Sequence, residues 1–195
     1  LVVLVSEGFR PGQDALSVLV AHALKSGDLE TKAGKHLQLY LAPAVSARRV
    51  VLLGSGNGSA RNVRQALQSI AMTFKLPQVK RAVVCFAGDA QAESVCAAVQ
   101  AVADASYVYT TTKPKAEART LNRVVIGVAH AEAVREAFAR GLGLMAGVEF
   151  AREWGNRQAN HATPSLLAEA AKSLGRQPRM QCKVHGPAEV ARLGM

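Results

Sequence analysis

Arg49-Val50-Val51-Leu52-Leu53-Gly54-Ser55-Gly56-Asn57-Gly58-Ser59-Ala60 passes from a run of β-branched and leucine side chains, through a glycine-rich turn, into a segment where Val63, Leu67 and Ile70 recur at helical spacing, which predicts a helix over 60–73. A buried strand that ends in a turn and feeds a helix is the unit from which α/β domains are built. The same alternation is legible on both sides. Residues 1–5 form a continuous Leu and Val run, and residues 14–25 then repeat Leu16, Leu19, Val20 and Leu24 before a stop at Gly27. Leu37, Leu39 and Leu41 alternate with Gln38 and Tyr40 in the period of a half-exposed strand.

Downstream, residues 81–87 read as a buried strand and 91–105 as a helix with Val95, Val99 and Val102 in line. Residues 107–111 and 124–128 read as two more strands, separated by the basic loop Lys113-Pro114-Lys115. Residues 131–154 carry the longest helical pattern, in which Gly141, Gly143 and Gly147 are tolerated if a missing side chain lets a neighbour approach. Thr163-Pro164 starts a further helix to Leu174, with Thr as cap and Pro in the first turn, and residues 180–184 fit one more strand. The expectation is a three-layer α/β domain on a largely parallel sheet, with mixed elements near Leu37 and Tyr107. A hinge is expected at residues 155–164, where Asn156, Asn160 and His161 replace the helical pattern.

The chain has 195 residues, 49% of them apolar and 19% charged, which fits a globular core burying roughly 70% of the extended surface and excludes disordered and collagen-like classes. No apolar run approaches the roughly 20 residues of a membrane span, and the opening run is too short for a signal peptide; a cytoplasmic protein is expected. The start without Met and the helical pattern that runs out at Arg192-Leu193-Gly194-Met195 suggest a piece of a longer polypeptide. Cys85, Cys96 and Cys182 are widely spaced and odd in number, which predicts buried reduced thiols rather than disulfides or a zinc site.

The net charge of +10 is uneven: no acidic residue falls between Glu30 and Asp89, where Lys32, Lys35, Arg48, Arg49, Arg61, Arg64, Lys75, Lys80 and Arg81 all lie. Such a stretch attracts phosphate backbones or acidic surfaces, or is simply solvated. Tyr107 and Tyr109 near Lys113 and Lys115 are the aromatic and basic residues that would suit base stacking. The turn Gly54 to Gly58 is placed to offer N–H groups to a phosphate, but Ser59 stands where a dinucleotide fingerprint has its third glycine, so a plain strand-to-helix turn is the simpler reading. His22, His36, His130, His161 and His185 show no metal-ligand spacing, and no nucleophile elbow is present. From the residues alone, catalytic, cofactor-binding and metal-ligating positions are none.

Several segments, in order, resemble the amino-terminal region of the leucyl aminopeptidase (cytosol aminopeptidase) family. Ser26-Gly27-Asp28-Leu29-Glu30-Thr31-Lys32-Ala33-Gly34 resembles that family's early Gly-Asp segment, 49–56 its strand ending in Gly-x-Gly, and 107–115 its Tyr and Lys segment. The fullest match is the stretch 147–169, containing Ala151-Arg152-Glu153-Trp154-Gly155-Asn156 and Asn160-His161-Ala162-Thr163-Pro164, which resembles the connector between the family's two domains. Glu153 stands for the family's Asp, and Gln158-Ala159 for its paired prolines. Leu193-Gly194-Met195 resembles the opening of the catalytic domain.

The resemblance implies a macro-domain-like amino-terminal domain over residues 1–154, and a linker helix and connection to a catalytic domain over 155–195. It implies a parent enzyme that removes amino-terminal residues such as Leu from peptides with two divalent ions, manganese or zinc, held beyond Met195. Homo-hexamers and, for some bacterial members, DNA are further implied partners; no membrane partner is. The alternative expectation is a free-standing nucleotide- or ADP-ribose-binding module, and a third reading is a nucleic-acid binder using Arg61 and Arg64.

Overall fold

Valine and leucine at the start of the chain make the centre of a sheet, because only a strand with neighbours on both sides and helices on both faces buries every one of its side chains. The computed structural model describes residues 1–43 and 45–195. Its strands are β1 (Val2–Val5), β2 (His36–Tyr40), β3 (Arg49–Gly54), β4 (Arg81–Phe86) and β5 (Arg123–Gly127). Its helices are α1 (Ala15–Ser26), α2 (Ala60–Ser69), α3 (Ala71–Phe74), α4 (Ala92–Ser106), α5 (Ala131–Asn156), α6 (Pro164–Leu174) and α7 (Pro187–Arg192). Two compact units divide these residues: Leu1–Val108 with Glu117–Phe150, and Tyr109–Ala116 with Ala151–Met195.

The first unit holds the sheet, in the order β2-β3-β1-β4-β5. All pairs are parallel except β2 with β3. The expected mixed element near Leu37 is therefore present. Register places Val3 between Leu52 and Cys85, so side chains of one parity share one face. Val2, Leu4, Val51, Leu53 and Val84 pack under α2 and α4, where Val63, Leu67, Ala98 and Val102 meet them. Val3, Val5, Val50 and Leu52 pack under Val20 and Ala23 of α1. Each such Val or Leu contributes about 1.5–3 kcal/mol on burial.

Local chemistry sets the ends of these elements. The Asp14 carboxylate accepts the Leu16 and Ser17 N–H groups at 3.1 and 3.0 Å, capping α1, and Gly27 closes it at φ 80°. At the far end of α4, the Arg119 guanidinium donates to the Ala103 and Ser106 carbonyls at 2.9 and 3.1 Å and pairs with Glu149 of α5 at 2.6 Å. One charge thus satisfies orphan carbonyls of one helix and fixes a second against it.

The structure departs from the sequence expectations at five places. Residues 107–111 form no strand: Lys113 and Ala116 donate to the Thr110 and Lys113 carbonyls, so the backbone closes on itself in turns instead of joining a ladder. Residues 180–184 form none either; they are exposed, and their alternation has no face to bury. The helix expected over 60–73 breaks at Ile70 (φ −107°, ψ 17°), beside a Ser69 hydroxyl within 2.7 Å of the Ala66 carbonyl. Leu41 lies past the end of β2 at φ 52°, 78% exposed. Of the three thiols, Cys96 is buried, Cys85 half-buried and Cys182 exposed.

The second unit is built on α6, whose N-terminus is capped as expected by the Thr163 hydroxyl, which accepts the Leu166 N–H, with Pro164 in the first turn. Within α5, only Gly141 meets the expectation of a close neighbour: a Cβ there would lie 3.1 Å from Val99 Cβ and 3.3 Å from the Cys96 carbonyl oxygen, whereas Gly143 and Gly147 face open space. Gly143→Ala is therefore expected to raise stability by about 0.5–1 kcal/mol through helix propensity. Gly141→Ala loses that gain to overpacking, at about 1–3 kcal/mol. Denaturant unfolding of the two variants checks the order.

Candidate functional site

The glycine turn, the best sequence-level candidate for a ligand cradle, is spent on the fold. Gly54 N–H donates to the Lys35 carbonyl at 2.8 Å, Ser55 N–H to Val5 at 2.8 Å and Gly56 N–H to Thr31 at 2.7 Å. Gly58 N–H donates to the Ser55 carbonyl at 2.9 Å, and Ser59 N–H to the Asn57 side chain at 3.0 Å. The Gly54, Ser55, Gly56 and Gly58 amides are thus engaged by backbone, and the Ser59 amide by a side chain. The segment resembling the early Gly-Asp motif supplies Thr31 and Gly34, whose N–H donates to the Gly54 carbonyl at 3.1 Å, and Lys35 follows it directly, so two matched motifs form one braced crossing. Gly54 permits it, because a Cβ would lie 2.5 Å from the Lys32 carbonyl oxygen. Gly56 and Gly58 turn at φ 55° and 74°, where glycine avoids the strain other residues bear.

Basic residues of the acid-free stretch sit on separate elements. Arg49 of β3 stacks 5.2 Å from the Tyr40 ring centroid, and Lys35 pairs with Glu30 at 3.6 Å. Arg61 and Arg64 of α2 line a depression of about 230 Å³ together with Arg140 of α5. Arg64 donates to Gln100 and lies 3.8 Å from Asp104; Arg140 pairs with Glu93. Arg61 is exposed on the same rim. The five histidines are not brought together. His36 Nδ1 lies 3.3 Å from the Gly34 carbonyl, His130 3.9 Å from Asp89 and His185 3.0 Å from Glu189, while His22 and His161 are exposed. Among the described residues no group of three or more His, Cys, Asp or Glu is placed to hold a metal ion.

In the second unit, the connector motif meets the Tyr and Lys segment. Thr111 donates to the Glu153 carboxylate, which also accepts from Arg157 Nη2 at 3.1 Å, and the Arg157 guanidinium lies 4.0 Å over the Trp154 ring. Residues that match the family at distant points of the sequence thus share one polar cluster. Sequence reasoning singled out both segments without pairing them.

A second feature had no sequence signal. Helix α1 covers only the β2-β3-β1 part of its face, leaving Val83 and Val125 of β4 and β5 37% and 42% exposed. Beside the N-terminal end of α1, at the carboxyl ends of β1, β4 and β5, a cavity of about 350 Å³ opens. Val3 and Val20 form its apolar side, Phe9 contributes aromatic surface, and the exposed Asp14 with Ser17 brings polar groups; Phe86 also borders it, but its side chain packs on the α2 and α4 face. The Ser17 hydroxyl and the Ser17 and Leu16 backbone amides hold the Asp14 carboxyl below the usual aspartate range, so it stays ionised at neutral pH. Cys85 lines the cavity too; burial raises its pKa and keeps the thiol protonated.

The model of the cytosol aminopeptidase family, N-terminal domain, matches residues 9–116. The chain belongs to that family, as its amino-terminal domain. The probable cytosol aminopeptidase of Verminephrobacter eiseniae is 67% identical over all 195 residues, and that of Acidovorax sp. (strain JS42) 60% identical. The chain spans 38% and 39% of those two proteins. Among solved structures, the bottromycin maturation enzyme BotP superposes with a TM-score of 0.68 at 20% identity, over 99% of this chain and 41% of its own. A tomato leucine aminopeptidase mutant superposes at 0.65 and 21%, over 89% and 38%. These likenesses confirm the mixed α/β fold.

Gly54→Ala is expected to lose more stability than the roughly 1–3 kcal/mol of ordinary overpacking, since the atoms a Cβ meets are backbone and cannot rotate away. Thermal unfolding measures it; an unchanged midpoint contradicts the brace.

Proposed function

We propose that this chain is the non-catalytic amino-terminal domain of a cytoplasmic, metal-dependent leucyl aminopeptidase, which removes amino-terminal residues, Leu preferred, from peptides. The observation that carries the reading is whole-chain identity to probable cytosol aminopeptidases of which the chain spans only 38–39%. In this reading residues 1–154 form a macro-like domain and 155–195 lead to a catalytic domain. That remaining part would hold the two divalent ions, manganese or zinc, whose chemistry would be activation of water and polarisation of the scissile carbonyl. The parent assembles as a homo-hexamer, and this domain serves assembly.

The test compares the 195-residue chain with its full-length parent on a leucyl anilide, with manganese or zinc added. The expected result is turnover by the parent and none by the chain. Turnover by the chain overturns the non-catalytic role, and an inert parent overturns the aminopeptidase reading.

DNA contact is the further part of the proposal, favoured by Arg61, Arg64 and Arg140 around one depression that holds the single carboxylate of Glu93. Arg61→Glu with Arg64→Glu is expected to weaken duplex binding severalfold at low salt. The slope of log K against log salt should shrink by about 2, roughly 0.9 for each lost phosphate contact. A salt-independent affinity in filter binding removes this part.

A further inference from the structure

We propose that the outer edge of β5 is the contact surface for a second copy of this chain, the two β5 strands pairing antiparallel about a two-fold axis at Val125. β5 ends the sheet, with β4 on one side only. The Arg123 N–H donates to the Lys80 carbonyl at 3.3 Å. By the alternation of a parallel ladder, the backbone groups of Arg123, Val125 and Gly127 therefore face β4, and the N–H and C=O groups of Val124 and Ile126 point away from the sheet. Among the described residues no hydrogen bond engages these outward groups. Edge strands that must stay solitary are blunted by Pro, by charged side chains or by bulges. Val124-Val125-Ile126-Gly127 carries no Pro and no charge, and Val124 and Val125 are 39% and 42% exposed.

A second copy is the occupant that fits this edge, because the edge is self-complementary. With the axis at Val125, Val124 of each copy stands opposite Ile126 of the other, and both residues turn their backbone groups outward. Every outward N–H and C=O of the two strands is then paired. The charges fit as well. Arg123 falls opposite Gly127, so like charges do not oppose each other across the pair. Arg123 and Glu132 line a groove of about 440 Å³ between β5 and the start of α5, with Arg123 opening β5 and Glu132 following its end. The axis reverses the second strand and carries its Arg123 to the end of the groove where Glu132 stands. The groove also receives side chains. Val124 and Ile126 share the face on which Ile126 joins the α2 and α4 cluster, so those of the second copy enter the groove against Val134 and Phe138. On the other face the two Val125 side chains meet, each beside Val83, its cross-strand neighbour, which α1 leaves exposed.

This surface gives the assembly role proposed above a place in the fold, and it rests on that part of the reading alone. The test is sedimentation velocity of the 195-residue chain from micromolar to near-millimolar concentration. Physiological salt screens the repulsion between two chains of net charge +10. The apparent mass is expected to rise toward twice that of one chain. Val124→Pro removes an outward N–H and leaves the bonds to β4, a change that edge strands tolerate. It is expected to weaken the dimer at least about tenfold, because symmetry removes the donor twice. Val125→Cys, made together with Cys182→Ser, gives a second readout that does not need the proline variant to fold. In a pair of this kind the Cα atoms at position 125 lie about 4.5 Å apart, within disulfide reach. Oxidised glutathione is expected to join the copies through position 125, as read by peptide mass mapping. A chain that stays monomeric, a dimer indifferent to Val124→Pro, or a cross-link absent from position 125 overturns the proposal. A full-length Val124→Pro parent that still assembles as the wild type does also overturns it, and leaves the aminopeptidase reading, which turnover tests separately, intact.

Discussion

Gly54 lacks a side chain, and the space where one would stand is filled by the backbone of Glu30 to Lys32. That approach lets the chain between α1 and β2 lie against the end of β3, where Gly54 exchanges hydrogen bonds with Gly34 and Lys35 and Gly56 donates to Thr31. Ser55 extends the pairing to Val5, and the Gly56 carbonyl accepts from Glu7. The carboxyl ends of the two central strands are therefore tied to each other and to a crossing segment by backbone alone. The rest of the first unit is arranged around this knot. The α1 and α2 helices pack on opposite faces of the sheet, and α4 is tied to the knot by the Ser94 hydroxyl, which donates to the Gly58 carbonyl at 2.6 Å.

The knot also decides which end-of-strand feature is open to a ligand. A glycine-rich turn after a parallel strand offers phosphate-binding donors only while those donors are free. Here the Gly54, Ser55, Gly56 and Gly58 amides are engaged within the fold, and the open space lies one strand further on, where α1 fails to cover β4 and β5. That opening is a consequence of incomplete layering. It is lined by residues of the strands and of the first turn of α1 instead of a loop of N–H groups.

The central strands and their helices were legible in the sequence because their burial is periodic: Val2 to Val5 has no polar face to expose, and Val63 and Leu67 fall on one side of α2. The caps at Thr163 and Gly27 were legible for a different reason, since their chemistry acts over three or four residues. Tyr107 to Thr111 carries β-favouring residues, but its hydrogen bonds close locally around Pro114 and Thr112, and propensity alone does not register that competition. Cys182 looked like a buried thiol by type, yet it belongs to a short second unit with little interior. The cavity left no trace in the sequence: Phe9 and Asp14 come from the connection between β1 and α1, Cys85 from β4 and Gly127 from β5, and only the strand order brings them together. The pairing of Thr111 with Glu153 is of the same kind, since each lies in a segment with a family likeness but only folding joins them.

The central claim is that the Gly54 to Gly56 amides hold the fold and are not available to a ligand. Amide hydrogen exchange resolved by residue tests it most directly. The account predicts that Gly54, Ser55 and Gly56 exchange only through global unfolding, as slowly as the core of β1 and β3, and that ADP-ribose leaves their rates unchanged. Rapid exchange at these three amides, or protection that appears only when ADP-ribose is added, would contradict it.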